Sequence, residues 1–398
     1  MFAQRLAGVA PSATLKVAAE AERLRRAGVD VVDFSAGEPD FPTPEHVKAA
    51  GKAAIDANFT RYTATPGIPE LREAICARYK RDYGIEITAA EVLMTVGGKH
   101  ALFNTAMALF NPGDEVITHS PYWPTIPEQV KLMGAVPVIV PTRPEEAFAL
   151  HADAIIGAMT PRTKAIILNS PCNPTGGLID EATVGAIADA AAKQGVWIII
   201  DLCYEQLIYE DVPRNLPKVL FDKHRNRTVL AGSASKSYAM TGWRCGWTVA
   251  PKELTSAFNL IQGQSTTNIC SITQKAALAA LNGPQGTVTA MLDEYRKRRD
   301  NIHAWLTANP AVTCVKPSGA FYLFPDISGL LTPDVPTTFE FSQQLLEKEH
   351  VALTPGEAFD APGYVRISYA TSMEQLREGA TRILRFAESL QPAKASAS

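Results

Sequence analysis

Between Val92 and Ala250 the chain alternates short apolar runs with amphipathic stretches. Val92 to Val96, Glu115 to Thr118, Val136 to Val140, Lys164 to Leu168, Val196 to Ile200, Thr228 to Ala231 and Gly246 to Ala250 read as strands. Val196 to Ile200 is apolar throughout, as a central parallel strand buried on both faces must be. Helical periodicity fills the gaps: one helix opens at Gly97 and Gly98 and runs to about Phe110, another ends near Met133, and a third spans about Asp180 to Gln194. Outside this region the pattern predicts helices over about Ser12 to Arg26, Pro44 to Ala57, up to Tyr83, up to Asn282, Thr287 to Thr307 and Phe339 to Glu349. A strand at Val31 to Phe34 and strand-like runs at Val312 to Pro325 and Tyr364 to Ala370 complete the outline. The run R-K-R-R-D at Arg296 to Asp300 reads as the solvated face of its helix.

Composition narrows the class. At 398 residues the chain is long for one core, so a large domain with a smaller partner is expected. A net charge of -3 with interspersed signs argues against a nucleic-acid or polyanion partner. The six cysteines show neither C-x-x-C nor a short cysteine–histidine spacing, which fits a reducing cytosol and no metal site. Lys16, Glu20, Glu22 and Arg23 interrupt any apolar leader, so neither a signal peptide nor a membrane span is read and a cytoplasmic location is expected. The final Q-P-A-K-A-S-A-S reads as a tail.

Chemistry concentrates at S-A-S-K-S-Y-A-M-T-G-W-R, Ser233 to Arg244, directly after an apolar run. Lys236 stands among Ser233, Ser235, Ser237 and Thr241, with Arg244 eight residues on. Hydroxyls and a guanidinium suit phosphate oxygens, and a lysine amine kept from bulk water can attack a carbonyl. Phosphate plus Schiff-base carbonyl points to pyridoxal phosphate, although the stretch alone also suits a serine-rich loop with a surface lysine. Asp201 ends the run Val196 to Ile200, at the carboxyl end of a strand where α/β sheets gather ligands. A carboxylate there can hold a pyridinium nitrogen protonated, or simply cap the following helix. Gly97, Gly98 and Lys99 offer free backbone N–H groups at a helix start but match neither G-x-G-x-x-G nor a Walker loop. Gly37 lies in a Gly/Pro-rich loop, Trp123 after a strand, and Asn169 and Asn173 in the turn-rich N-S-P-C-N-P-T-G. Arg366, between Val365 and Ile367, suits either a substrate carboxylate or a structural ion pair.

In S-A-S-K-S with M-T-G-W-R, N-S-P-C-N-P-T-G, Y-T-A-T-P-G-I-P-E-L-R and V-G-G-K-H-A-L-F-N the chain resembles the fold-type I, class I/II pyridoxal phosphate aminotransferases, most closely the bacterial aspartate aminotransferase subgroup. The likeness runs from Pro11 to the S-Y-A-T-S at Ser368. It implies an α/β fold: a three-layer α/β/α large domain with a mostly parallel mixed sheet at residues 42–284, and a small α+β domain from both chain ends, 1–41 and 285–390, before a tail at 391–398. It also implies that Lys236 forms a Schiff base with pyridoxal 5'-phosphate and serves as general base, and that Asp201 pairs with the ring nitrogen. Tyr204 and Asn173 would bond the phenolic oxygen and Trp123 would stack on the ring. Ser233, Ser235, Arg244 and the backbone at Gly98 and Lys99 would hold the phosphate, with Tyr62 reaching in from the second subunit of a homodimer.

By the same resemblance Arg366, Asn173 and the backbone of Gly37 would take the α-carboxylate. Lys99, near Ser12 and Thr14, would take a distal one. The implied reaction is L-aspartate plus 2-oxoglutarate to oxaloacetate plus L-glutamate. Alternatives on the same frame are an aminotransferase for prephenate/arogenate, aromatic or small apolar amino acids, and a β-elimination enzyme; a non-catalytic pyridoxal phosphate-binding protein is more remote. Absence of G-x-S-x-G and H-E-x-x-H argues against a hydrolase. The chain departs from the family in D-L-C-Y-E, where D-E-x-Y-E is common, and in Cys172 before Asn173. Both thiols are expected near the cofactor.

Overall fold

The computed structural model describes residues 2–6, 8–11, 13–212 and 215–390, with residues 13–15 described by backbone alone. Its main sheet has seven strands, numbered here in chain order: β1 Val92–Thr95, β2 Glu115–Ser120, β3 Val136–Pro141, β4 Thr163–Asn169, β5 Trp197–Asp201, β6 Thr228–Ser233 and β7 Gly246–Val249. They lie in the order β1-β7-β6-β5-β4-β2-β3. β7 runs antiparallel to β1 and β6, and the other pairings are parallel. The sheet is therefore mixed and mostly parallel, as expected.

Period-two alternation divides the strand side chains between two cores. Ile166, Leu168, Ile198, Ile200 and Leu230 join one apolar cluster, while Ala165, Ile167, Ile199, Val229 and Ala231 join another. Burial of each isoleucine or leucine contributes about 1.5–3 kcal/mol, which favours one register and leaves the polar strand ends to fall in line. Asn169 is opposite Asp201, and Asp201 is opposite Ala231, two residues before Ser233. Three adjacent strands thus deliver polar groups to one edge, where ligands of such sheets bind.

The helices start and stop for local reasons. Asp180 accepts the Thr183 N–H at 2.8 Å to cap Glu181–Lys193. Pro69 opens Pro69–Tyr83, and Gly84 closes it in the left-handed conformation. The two chain ends come together in smaller sheets. Val32–Asp33 pairs in parallel with Val351–Ala352, while Val365–Ser368 is flanked by Thr354–Pro355 and Tyr322–Leu323. Their core is rich in aromatic residues, including Tyr295, Phe321, Tyr322, Phe341 and Tyr369.

One expectation about charge is corrected. Arg298 and Arg299 are buried, not solvated. Tyr295, Arg298, Arg299 and Ile302 follow the i, i+3, i+4, i+7 spacing of one face of the helix Gly286–Thr307, and that face packs inward. Arg298 pairs with Asp40 at 2.8 Å and Glu294 at 3.0 Å, and Arg299 with Glu210 at 2.9 Å and the Pro317 carbonyl. Two short helices, Ala152–Gly157 and Leu216–His224, were not anticipated. Among the described residues no helix is long and apolar enough to cross a membrane.

Candidate active site

A cavity of about 410 Å³ opens at the carboxyl edge of the main sheet. It is lined by Gly37, Gly98, Lys99, Trp123, Asn173, Asp201, Tyr204, Ser233, Ser235, Lys236, Arg244 and Arg366, so twelve positions singled out from the sequence converge on one space. Tyr62 does not line it and is 89% exposed. Ser12 lies outside the described residues. Thr14 stands in the first turn of the helix Ala13–Arg26, and its side chain also lies outside them.

Asp201 ends β5 and is 4% exposed. One carboxylate oxygen accepts the Cys203 N–H at 3.0 Å. Burial pushes its pKa up to about 6, against that hydrogen bond and the attraction of Lys236. Asn169 organises the neighbouring loop, accepting the Asn173 N–H at 2.8 Å and donating to the Asp201 carbonyl at 3.3 Å. It lines the cavity beside Asn173.

Lys236 follows β6 on the turn that begins at Ser233. Ser233 Oγ accepts the Ser235 N–H at 3.1 Å, which fixes that turn. The lysine amine donates to the Gly37 carbonyl. Burial holds its pKa below the ordinary lysine value; Cys203 and Glu38 oppose that shift, and Arg366 and Arg244 add to it. A deprotonated, nucleophilic amine is thereby favoured.

Gly97 precedes the helix Gly98–Leu109 with φ of 81°. A Cβ there would come 2.7 Å from the Arg244 Nη2, so only glycine lets this backbone approach the guanidinium. Arg244 itself has φ of 55° and donates to the Thr241 and Val96 carbonyls at 2.8 and 3.3 Å. The unused N–H groups of the helix start, the two serine hydroxyls and this guanidinium form an anion cradle.

Arg366 is 2% exposed and has no ion-pair partner among the described residues. Its Nη1 donates to Asn173 Oδ1 at 3.1 Å and its Nη2 to the Ser35 carbonyl at 2.8 Å, while Nε is buried without a hydrogen-bond partner. The guanidinium lies 4.4 Å from the Tyr322 ring centroid and 5.1 Å from that of Phe359. A buried cation without a carboxylate of its own is ready to receive one from a ligand. On the other side, the Lys99 amine sits 5.2 Å from the Trp123 ring centroid. Burial, with Arg244 second, lowers its pKa.

The chain belongs to the class I and II aminotransferases. That family's model matches residues 29–383. An aspartate/prephenate aminotransferase of Cereibacter sphaeroides is 43% identical over 97% of this chain and 98% of its own. An aspartate aminotransferase of Geobacillus stearothermophilus is 42% identical over 97% and 99%. The solved structure of Thermus thermophilus aspartate aminotransferase with maleate superposes with a TM-score of 0.91 at 42% identity, covering 97% and 99% of the two chains. The enzyme is an aminotransferase of fold type I, as its motifs imply.

The cavity also exposes residues that sequence reasoning left without a role. Tyr322, Thr125 and Pro124 line it, and Tyr322 bonds Tyr204 through their hydroxyls at 2.8 Å. A tyrosine in the apolar run F-Y-L-F is the one signal that could have marked Tyr322, because a buried hydroxyl needs a partner. Of the two thiols expected near a cofactor, Cys203 lines the cavity, while Cys172 is buried against the Pro121 carbonyl outside it. Burial pushes the Cys172 thiol up to about 11 and the Cys203 thiol up to about 12, so neither is an activated nucleophile.

Proposed function

We propose that this aminotransferase binds pyridoxal 5'-phosphate and transfers the amino group of L-aspartate to 2-oxoglutarate, yielding oxaloacetate and L-glutamate. The observation that carries the reading is the meeting, around one cavity, of Lys236 with a lowered pKa, buried Asp201 at a strand end, and buried Arg366 with no carboxylate partner among the described residues. The donor set suits the cofactor. Lys236 would link to it, Asp201 would face its ring nitrogen, Tyr204 and Asn173 its phenolic oxygen, and Trp123 its ring face. The Gly97 cradle, with Ser233, Ser235, Arg244 and the backbone of Gly98 and Lys99, would hold the phosphate. When bound, the cofactor supplies a sink for the electrons left at Cα after proton removal.

The chain's own groups do the rest. Lys236, held towards its neutral form, takes the Cα proton and returns it as general base and acid. Asp201 carries the negative charge that keeps a ring nitrogen protonated. Arg366, clamped between Asn173 and Ser35, presents its remaining N–H groups to the α-carboxylate beside Gly37. Lys99 meets a second carboxylate at the other end of the substrate, which favours aspartate over amino acids with apolar side chains; Ser12 and Thr14 would assist it. Exposed Tyr62 supports a homodimer in which each copy lends this tyrosine to the phosphate of the other. Division into a large domain at 42–284 and a small one from both ends belongs to the same reading, as does a cytoplasmic location, which six free cysteines support.

Prephenate is a second amino acceptor to consider, because relatives carry both names and prephenate also presents two carboxylates. Steady-state assays with aspartate, phenylalanine and alanine as donors, and 2-oxoglutarate and prephenate as acceptors, test the assignment. Aspartate is expected to exceed alanine and phenylalanine in kcat/KM by at least about tenfold, the discrimination of one charged hydrogen bond. An enzyme that prefers alanine or phenylalanine contradicts the role given to Lys99.

A further inference from the structure

Tyr322 stands at a junction that the reaction assigned above leaves unexplained. It belongs to the strand Tyr322–Leu323, which pairs with Val365–Ser368 in the small sheet, yet its side chain lines the cavity of the main sheet. Its ring lies under the Arg366 guanidinium, with centroid and Cζ 4.4 Å apart. Its hydroxyl meets the Tyr204 hydroxyl at 2.8 Å. A Cβ on Gly37 would come 3.1 Å from the same hydroxyl, so Gly37 has no room for a side chain without moving Tyr322. The Gly37 carbonyl in turn accepts a hydrogen bond from the Lys236 amine. One side chain therefore meets the carboxylate-binding cation and the Tyr204 hydroxyl, and limits the space beside the loop whose carbonyl holds the lysine amine.

The energetics of Arg366 explain why such a residue is needed. A guanidinium that is 2% exposed and lacks a carboxylate partner among the described residues must be held by other means. Two carbonyl-type acceptors, from Asn173 and Ser35, satisfy part of its fork. The negative faces of Tyr322 and Phe359 supply the remainder, and a desolvated cation–π contact is among the strongest of its kind. An acidic residue in their place would neutralise the cation and compete with the substrate. Aromatic faces hold it without consuming its charge.

We propose that Tyr322 is a positioning residue with two arms: its ring aims Arg366 at the substrate carboxylate, and its hydroxyl fixes Tyr204 against the cofactor. When Tyr204 donates its one proton to a ligand oxygen, Tyr322 must be the donor of the Tyr204–Tyr322 bond. A chain of two hydrogen bonds pointing the same way strengthens both, so the Tyr322 hydroxyl enhances donation by Tyr204. This inference rests on the roles of Arg366 and Tyr204 given above, and its test separates the two.

The holoenzyme and its Y322F, Y322L and R366L variants are titrated with maleate, an unreactive dicarboxylate, by calorimetry. The pH at which the visible cofactor band changes is recorded for each. Wild type is expected to bind maleate and R366L to lose it; if either fails, the assignment of Arg366 is wrong and the inference falls with it. Y322L is expected to bind maleate about tenfold more weakly or worse, the effect of about 1.4 kcal/mol or more in binding. Y322F, which keeps the ring, is expected to stay within about threefold of wild type. It is also expected to move the band's midpoint pH upwards, because a weaker Tyr204 hydrogen bond disfavours the deprotonated chromophore. Maleate binding by Y322L within about twofold of wild type, where R366L has lost it, overturns the ring's role while leaving the function intact. An unmoved midpoint in Y322F overturns the hydroxyl's role; if Y322L fails to fold, Y322M takes its place in the maleate titration and is read against the same limits.

Discussion

Replacing Asp201 with asparagine should make the cofactor-free protein more stable near pH 8, although it disables the enzyme. In the folded chain burial moves the Asp201 pKa from 3.8 to about 6. Folding therefore favours the protonated form. Below pH 3.8 the group is neutral in both states and costs nothing; the cost of its charge grows as pH rises and is complete above pH 6. The separation corresponds to about 3 kcal/mol. Asparagine keeps the shape and an oxygen that accepts the Cys203 N–H, but carries no charge. Urea unfolding of the cofactor-free wild type and D201N should give D201N up to about 3 kcal/mol more stability at pH 8, with the difference vanishing towards pH 4. With pyridoxal phosphate bound as proposed the order of merit should reverse, since a pyridinium nitrogen opposite Asp201 would supply the missing counter-charge. Turnover of D201N should fall by at least about 100-fold. Equal stability of the two cofactor-free proteins at pH 8 would refute the claim that Asp201 is a destabilised charge kept for the ligand.

Three further outcomes follow from the same geometry. Lys99→Met should raise the KM for aspartate by about 10–100-fold while leaving alanine nearly unaffected, the value of one charged hydrogen bond to the distal carboxylate; parallel steady-state kinetics on both amino acids checks it. Gly97→Ala forces a Cβ to 2.7 Å from Arg244 at a φ of 81°, so cofactor affinity measured by fluorescence quenching should weaken by about tenfold or more. Glu205→Gln removes a carboxylate that pairs with Arg78 at 2.5 Å, both groups being buried, and should cost about 3–5 kcal/mol in urea unfolding. Arg78 keeps Asp82 at 3.1 Å as its remaining partner, so a loss below about 1 kcal/mol would show that Asp82 suffices.

The sequence already marks what local chemistry determines. Apolar runs such as Val196 to Ile200 need a two-sided core, so β4 to β6 and the polar residues at their ends are legible before any coordinates. Lys236, Asp201 and Asn173 stand out because strand ends and turn-rich loops announce themselves, and Arg366 because a charge interrupts an apolar strand; the structure brings all four to one cavity. Residues whose meaning depends on a distant partner stayed hidden. Arg298 and Arg299 sit in a run of five charged residues, and their burial is set by Asp40 and Glu210, 258 and 89 residues away. The spacing Tyr295, Arg298, Arg299, Ile302 carried the signal, but the charges outweighed it. Tyr322 was missed for the same reason, since its partner Tyr204 lies 118 residues earlier. Tyr62 is the opposite case: its motif is plain in sequence, but its side chain is exposed and away from the cavity, and only the proposed homodimer would give it a role.

The proposed function stands or falls with Lys236 as the amine that carries the cofactor. Purified enzyme should be reduced with borohydride, digested and mapped by mass spectrometry, with K236A treated in parallel. A pyridoxyl-phosphate adduct is expected on the peptide containing Lys236, absent from K236A and from wild type converted with excess aspartate before reduction. An adduct on another lysine, or none after incubation with the cofactor, would contradict it.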